Sequence, residues 1–317
     1  DRESVYVRNI VKCLYRDENR ILCGTNLGTI YSFDLKTHKF SLIHDFKTGN
    51  SIYQIGRTMS GDLFVAGVNK IGLTLISQNG NIRNKFPTNE NPNFSFYNVR
   101  CMLEIEKNVF LLGTRNDGLF YYDMNKKELT RYKSDLSNTS GKSLPENYIS
   151  SIFKDSMGQI WIGTFGGGFC LFDPSTGTFR IFNKKNGLLD NNVCAIVEDN
   201  NRHLWISTIS GISDFNIQNQ EITNYTHSSG ININEFTPHA GSRLADNRIV
   251  FSGNNGFVSF NPRKMYVNPY IPPLVLENLY INNNKINPGD NTKILSKQLN
   301  TQDQIELRYD ESNIAIE

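Results

Sequence analysis

Residues 149–182 read ISSIFKDSMGQIWIGTFGGGFCLFDPSTGTFRIF, and residues 193–225 read VCAIVEDNNRHLWISTISGISDFNIQNQEITNY. Both pass through an apolar segment, an acidic turn, a Leu/Ile-Trp-Ile segment, a glycine turn, a second apolar segment and a final strand bearing an aromatic. Stretches such as Gln159–Thr164 are too short, too β-branched and too glycine-punctuated to propagate a helix. Each copy reads instead as short strands parted by turns. Asp155 and Asp199 fall in the first turn, where a short carboxylate bonds nearby backbone amides. Gly158 there supplies a residue tolerant of positive φ. Trp161 and Trp205 hold equivalent places on the second strand. Packing between sheets is the expected role, and an exposed face for stacking a sugar is the competing one.

Working outward, weaker copies begin near Val11, Ile52, Val99 and His239, marked by Gly24-Thr25, Gly67, Gly113-Thr114 and Gly253. With Gly163 and Ser207 the landmarks stand at 24, 67, 113, 163, 207 and 253, a spacing of 43 to 50 residues. A repeat of that length carrying four strands is a propeller blade. The expected fold is therefore all-β, with a β-propeller of six clear repeats over residues 1–265. The repeat stops after Asn261-Pro262. Residues 266–273, YVNPYIPP, read as a proline-rich linker. Residues 274–317 open with LVLENLYI and read as the beginning of a truncated β-sandwich domain.

Lys plus Arg number 33 and Asp plus Glu 31 in 317 residues, so no broad charge draws the chain to nucleic acid or an anionic membrane. No apolar run approaches the roughly 18–20 residues that span a bilayer. The start at Asp1 and the end inside a strand-like run at Ile314–Ile316 suggest an excised piece of a longer protein. Five cysteines without CxxC or Cys/His spacing predict neither a metal site nor a disulfide framework, and no cofactor is expected. A hairpin turning at Asp17–Asn19 faces Cys13 toward Cys23, which leaves a disulfide between them open. The run Gly166–Gly168 precedes no helix, so it is not a phosphate cradle.

Asp155, Gly158, Ile160, Trp161, Ile162, Gly163, Thr164, Gly167 and Gly168 resemble the repeat of the two-component regulator propellers. Asn234–Phe236 through Asn261-Pro262 looks like the last blade of such arrays, and Pro272 onward like the triple-tyrosine β-sandwich that follows them. The resemblance implies the periplasmic sensor region of a hybrid two-component system of Bacteroidetes type, in which a membrane helix, a histidine kinase, a receiver and a DNA-binding module lie downstream. It implies an oligosaccharide ligand, control of glycan-utilisation genes, a homodimer in the full-length receptor and tethering to the membrane through segments absent here. It also implies seven blades, one more than the clear repeats.

Loops joining the second and third strands of each blade share one face with the connections between blades, and loops carry function more often than sheets. Sugars are held by planar hydrogen-bonding groups and aromatic faces. The candidate ligand residues on that face are Asn69, Lys70, Tyr97, Arg115, Asn116, Asp117, Phe165 and Asn254, with Tyr148 nearby. Arg115 is the leading one, being suited to a uronate or sulfate. No catalytic residue is assigned: glycoside hydrolysis asks for two carboxylates about 5–10 Å apart, and Asp117 has no evident partner. A structural or dimerisation propeller, relaying a signal from an upstream site, is the alternative; a propeller lyase or glycosidase is a third.

Overall fold

The structure, a computed structural model, describes residues 9–86, 98–135, 137, 140–265 and 275–317. The proline-rich linker expected at 266–273 lies outside them. The chain divides into two compact units, Asp1–Met265 and Tyr266–Glu317.

The first unit is a β-propeller built from six antiparallel meanders. The first is β1 (Val11–Asp17), β2 (Arg20–Thr25), β3 (Thr29–Asp34) and β4 (Phe40–Asp45). The second is β5 (Ile52–Arg57), β6 (Leu63–Gly67), β7 (Leu73–Ile76) and β8 (Ile82–Phe86), and the third β9 (Val99–Glu106), β10 (Val109–Thr114), β11 (Leu119–Asp123) and β12 (Glu128–Tyr132). The fourth comprises β13 (Ile149–Lys154), β14 (Ile160–Thr164), β15 (Phe169–Asp173) and β16 (Thr178–Phe182), the fifth β17 (Val193–Glu198), β18 (His203–Thr208), β19 (Gly211–Asn216) and β20 (Ile222–Tyr225). The sixth has three strands, β21 (Phe236–Arg243), β22 (Ile249–Gly253) and β23 (Gly256–Phe260). In the second unit β24 (Leu279–Ile281) pairs with both β25 (Asn284–Ile286) and β26 (Ile314–Ile316).

The repeated motif explains how these sheets stand beside one another. Asp155 Oδ1 accepts from the amides of Met157 and Gln159 at 2.9 and 2.8 Å, and its Oδ2 accepts from Trp161 Nε1 at 2.9 Å. Asp199 does the same for Asn201, His203 and Trp205 at 2.8, 3.0 and 3.2 Å. One carboxylate thus shapes the turn and orients the indole that follows it. Both tryptophans are 2% exposed, so they pack between sheets and offer no sugar-stacking face. At the other end of the second strand, Thr164 Oγ1 donates to Gly168 O at 2.8 Å and closes the loop to the third strand. Gly163 lies where a Cβ would meet Val193 at 2.7 Å, so the missing side chain lets the next sheet's inner strand come close.

Apolar clusters fill five gaps between neighbouring sheets, represented by Leu22 with Val65, Phe64 with Phe110, Leu111 with Ile162, Trp161 with Phe215, and Trp205 with Phe251. Among the described residues no such cluster joins the sixth sheet to the first. The register places Leu14, Cys23, Tyr31 and Leu42 in one cross-strand row of the first sheet, and Arg16, Ile21, Phe33 and Phe40 in the next. Leu14, Phe40 and Leu42 in these rows are 65%, 67% and 55% exposed.

The same register corrects the expectation for the cysteines. The β1–β2 turn sits at Glu18-Asn19, which pairs Cys13 with Gly24 and Leu14 with Cys23. A one-residue offset sends the two side chains to opposite faces. All five cysteines are free thiols.

Charge braces the first two sheets at the end away from the β2–β3 loop. Arg57 grips Asp17 from Nε and Nη2 at 2.9 and 2.7 Å, and Arg20 joins at 2.7 Å. The Arg57 guanidinium in the first place holds the Asp17 carboxyl below the usual carboxylate range. A carboxyl depressed on folding contributes stability above its unfolded pKa of about 3.9 and loses it as pH falls through the folded value. Asp17→Asn is expected to cost about 2 kcal/mol near neutrality. The gap in melting temperature between the two proteins should close as pH drops below about 4; a gap that persists unchanged in acid refutes this account.

Candidate axial binding site

The inner strands β1, β5, β9, β13, β17 and β21 surround the propeller axis, and each breaks register near its start. The breaks fall between Val11 and Cys13, Ile52 and Gln54, Val99 and Cys101, Ile149 and Ser151, Val193 and Ala195, and Phe236 and Gly241. A β-bulge leaves its extra residue outside the ladder and re-aims the side chain. The residues set free in this way are Lys12, Tyr53, Arg100, Ser150 and Cys194, and in the longer interruption of β21, Thr237–Ala240.

A cavity of about 980 Å³ opens from the inner strands into the cleft between the first and sixth sheets; Lys12, Tyr15, Tyr53, Arg100, Tyr148 and His239 line it, with Leu14 and Val250 on the two flanks. Its size matches a small-molecule site. Val11 pairs with Thr25, Ile52 with Gly67 and Val99 with Thr114, so the bulged residues sit at the end that borders the second-to-third strand loops. Arg100 Cζ lies 3.8 Å above the Tyr53 ring centroid, a cation–π stack that fixes the guanidinium plane. Nε of Arg100 and Nε2 of His239 are buried without a hydrogen-bond partner. His239 has φ 63°, a left-handed conformation that is uncommon for a non-glycine residue and gathers at functional sites. Burial, helped by the Arg100 charge, pushes the His239 imidazole down to about 4, so it is neutral at physiological pH.

Three residues singled out from the sequence come together beside this cavity. Arg115 Cζ lies 5.9 Å from the Tyr148 ring, and that ring lies 5.3 Å from Phe165. Asn69, Lys70, Asn116, Asp117 and Asn254 are spread over the loops and do not line the cavity. Asn69 donates to Asn50 Oδ1 at 3.0 Å, and Asn254 to Glu235 Oε2 at 2.8 Å. Lys70 and Asn116 are exposed, and Tyr97 lies outside the described residues. Asp117 is held by Arg131, which forms an ion pair with its carboxylate and donates to its carbonyl at 2.9 Å. The spacing could not show this, because Arg131 stands on the outer strand of the same sheet.

The glycine run is explained as well. The amides of Gly166 and Gly168 both donate to Asn191 O, at 3.1 and 2.9 Å, so they are committed to a neighbouring loop.

Residues 143–166 and 187–210, the stretches that end in these tryptophan strands and glycine turns, match the family description Two component regulator propeller. The fourth and fifth blades match that repeat. Among curated proteins it is similar to Histidine kinase P4 of Formosa agariphila, 27% identical over 67% of this chain and 20% of the relative. Among solved structures it is similar to the extracellular domain of a putative hybrid two component system from B. thetaiotaomicron, with TM-score 0.50 and 23% identity over 92% of this chain and 45% of that one. It is also similar to a virginiamycin B lyase from Staphylococcus aureus, with TM-score 0.61 and 14% identity over 82% of this chain and 87% of the other. At these identities the two structures speak to the propeller fold. The chain spans about a fifth of its curated relative's length and under half of the first solved one.

Proposed function

We propose that these repeats form the extracytoplasmic ligand-sensing part of a hybrid two-component regulator, and that the axial cavity binds an oligosaccharide whose capture controls glycan-utilisation genes. The observation that carries the reading is the cavity itself: Tyr15 and Tyr148 line it with aromatic surface, and Lys12 and Arg100 line it with hydrogen-bond donors. The Phe165–Tyr148–Arg115 stack at its border extends that surface toward the loops. In this reading the chain lies in the periplasm and works as a homodimer, anchored by segments outside this sequence. Residues 274–317 then begin the β-sandwich that leads to them. Among the described residues no Asp or Glu lines the cavity, which favours binding over glycoside hydrolysis.

Calorimetry of this chain against neutral, uronate-bearing and sulfated oligosaccharides tests the proposal. A saturable ligand is expected, and Arg115→Ala should weaken it about 3- to 10-fold, as loss of one exposed cation–π partner does. If a longer extracytoplasmic chain binds a ligand that this chain does not, the axial site is refuted.

That outcome favours a second reading, a propeller that relays a signal or mediates dimerisation for a site upstream. The exposed Leu14, Leu42 and Phe40 of two adjoining rows support it, because such rows are covered wherever two of the sheets meet. A seventh blade, the count the resemblance implies, belongs against that flank.

A further inference from the structure

The cavity lining is one-sided in charge. Lysines and arginines nearly balance carboxylates over the whole chain, yet among the described residues Lys12 and Arg100 line the cavity with no Asp or Glu beside them. Both cations are bulge residues, displaced from their ladders toward the same space. A concave wall bearing charge of one sign focuses its field inward. Tyr53, bulged in the sheet between them, stacks on Arg100 and holds its donor fork in a single plane. A guanidinium fixed in this way matches a carboxylate or sulfate, which accepts two parallel hydrogen bonds.

The remaining donor fits the same guest. His239 lines the cavity from the interrupted stretch of its strand. A neutral imidazole has one donor and one acceptor nitrogen, which suits a sugar hydroxyl.

We infer that the axial ring is an oxyanion receptor: it takes an acidic oligosaccharide whose carboxylate or sulfate sits on Arg100, with Lys12 as the second cation. The saccharide part rests on the function proposed above, whereas the oxyanion part rests on the ring alone. Arg100 is the anchor, Tyr53 positions it, and His239 binds beside the anion.

Two titrations separate these parts. Tetragalacturonate and its methyl ester share a backbone and differ in charge, and a chondroitin disaccharide with and without sulfate separates sulfate from carboxylate. The acidic member of at least one pair is expected to bind about 30-fold or more tightly than its neutral or less charged mate, and Arg100→Gln to remove that preference. Lys12→Gln should reduce it in part. Inorganic sulfate is the second probe, expected to raise the melting temperature over chloride at equal ionic strength in the wild type and not in Arg100→Gln.

Binding of the ester as tightly as the acid, with no effect of Arg100→Gln, overturns the oxyanion receptor and leaves the saccharide reading standing. A sulfate effect lost in Arg100→Gln, with no saccharide bound, does the reverse. Silence from both probes overturns both. Arg100→Lys, which keeps the charge and loses the fork, covers the case in which Arg100→Gln does not fold; it should bind more weakly than the wild type, and equal affinity counts against the anchor.

Discussion

Trp161→Ala is expected to lower the free energy of unfolding by about 3–5 kcal/mol, the range for truncating a buried large aromatic. The ring is 2% exposed and lies 5.6 to 6.1 Å from Phe169, Phe182 and Phe215, rings drawn from the fourth and fifth sheets. Removing it opens a cavity in the apolar cluster that joins these two sheets. It also strips a donor from Asp155 Oδ2. Asp155→Ala should cost about 1–3 kcal/mol through the indole left unpaired, besides unravelling the turn. The two changes share a bond, so in combination they should cost less than their sum. Chemical denaturation of the single and double variants measures this, and strictly additive losses would rule out the coupling.

Gly168→Ala is the second large loss, about 3 kcal/mol or more. Gly168 has φ 84°, a region alanine enters only with strain, and a Cβ there would lie 2.2 Å from Phe182 O. That carbonyl belongs to the outer strand, which pairs through Phe182 with Phe169, so neither side can yield without parting β15 from β16. Gly166→Ala is the matched control. Its φ is 119°, but the nearest neighbour of an added Cβ is the flexible Glu146 side chain at 3.5 Å. A smaller loss is expected at Gly166, and equal melting temperatures for the two variants would show that backbone conformation alone sets the cost.

What the sequence conveyed was whatever repeats with a local cause. Asp155, Gly158, Trp161 and Thr164 each act within a few residues of themselves, so turns, strands and blade spacing followed from their order. Registers between strands were less legible. Cys13 and Cys23 differ from a facing pair by one residue, and a turn placed one position differently reverses the conclusion. The axial site was missed for a related reason. Lys12, Tyr53 and Arg100 looked like ordinary strand residues because a bulge is a property of pairing. A trace of it is nevertheless present: Val11, Ile52, Val99, Ile149 and Val193 are β-branched, and the residue after each follows no rule of polarity or size. Arg115 and Phe165 drew notice because they lie on loops, where exposed cations and aromatics stand out; Asp117, on the same kind of loop, was already spoken for by a strand-borne arginine.

The bulges have a consequence for how such a chain diversifies. A residue outside the ladder makes no cross-strand pair, so exchanging it does not disturb hydrogen-bond register or the packing between sheets. Lys12, Tyr53 and Arg100 are in that sense uncoupled from folding, although they converge on a single chamber. Chemical specificity can therefore be rewritten one substitution at a time, on a barrel of blades whose aspartates, tryptophans and glycines stay as they are.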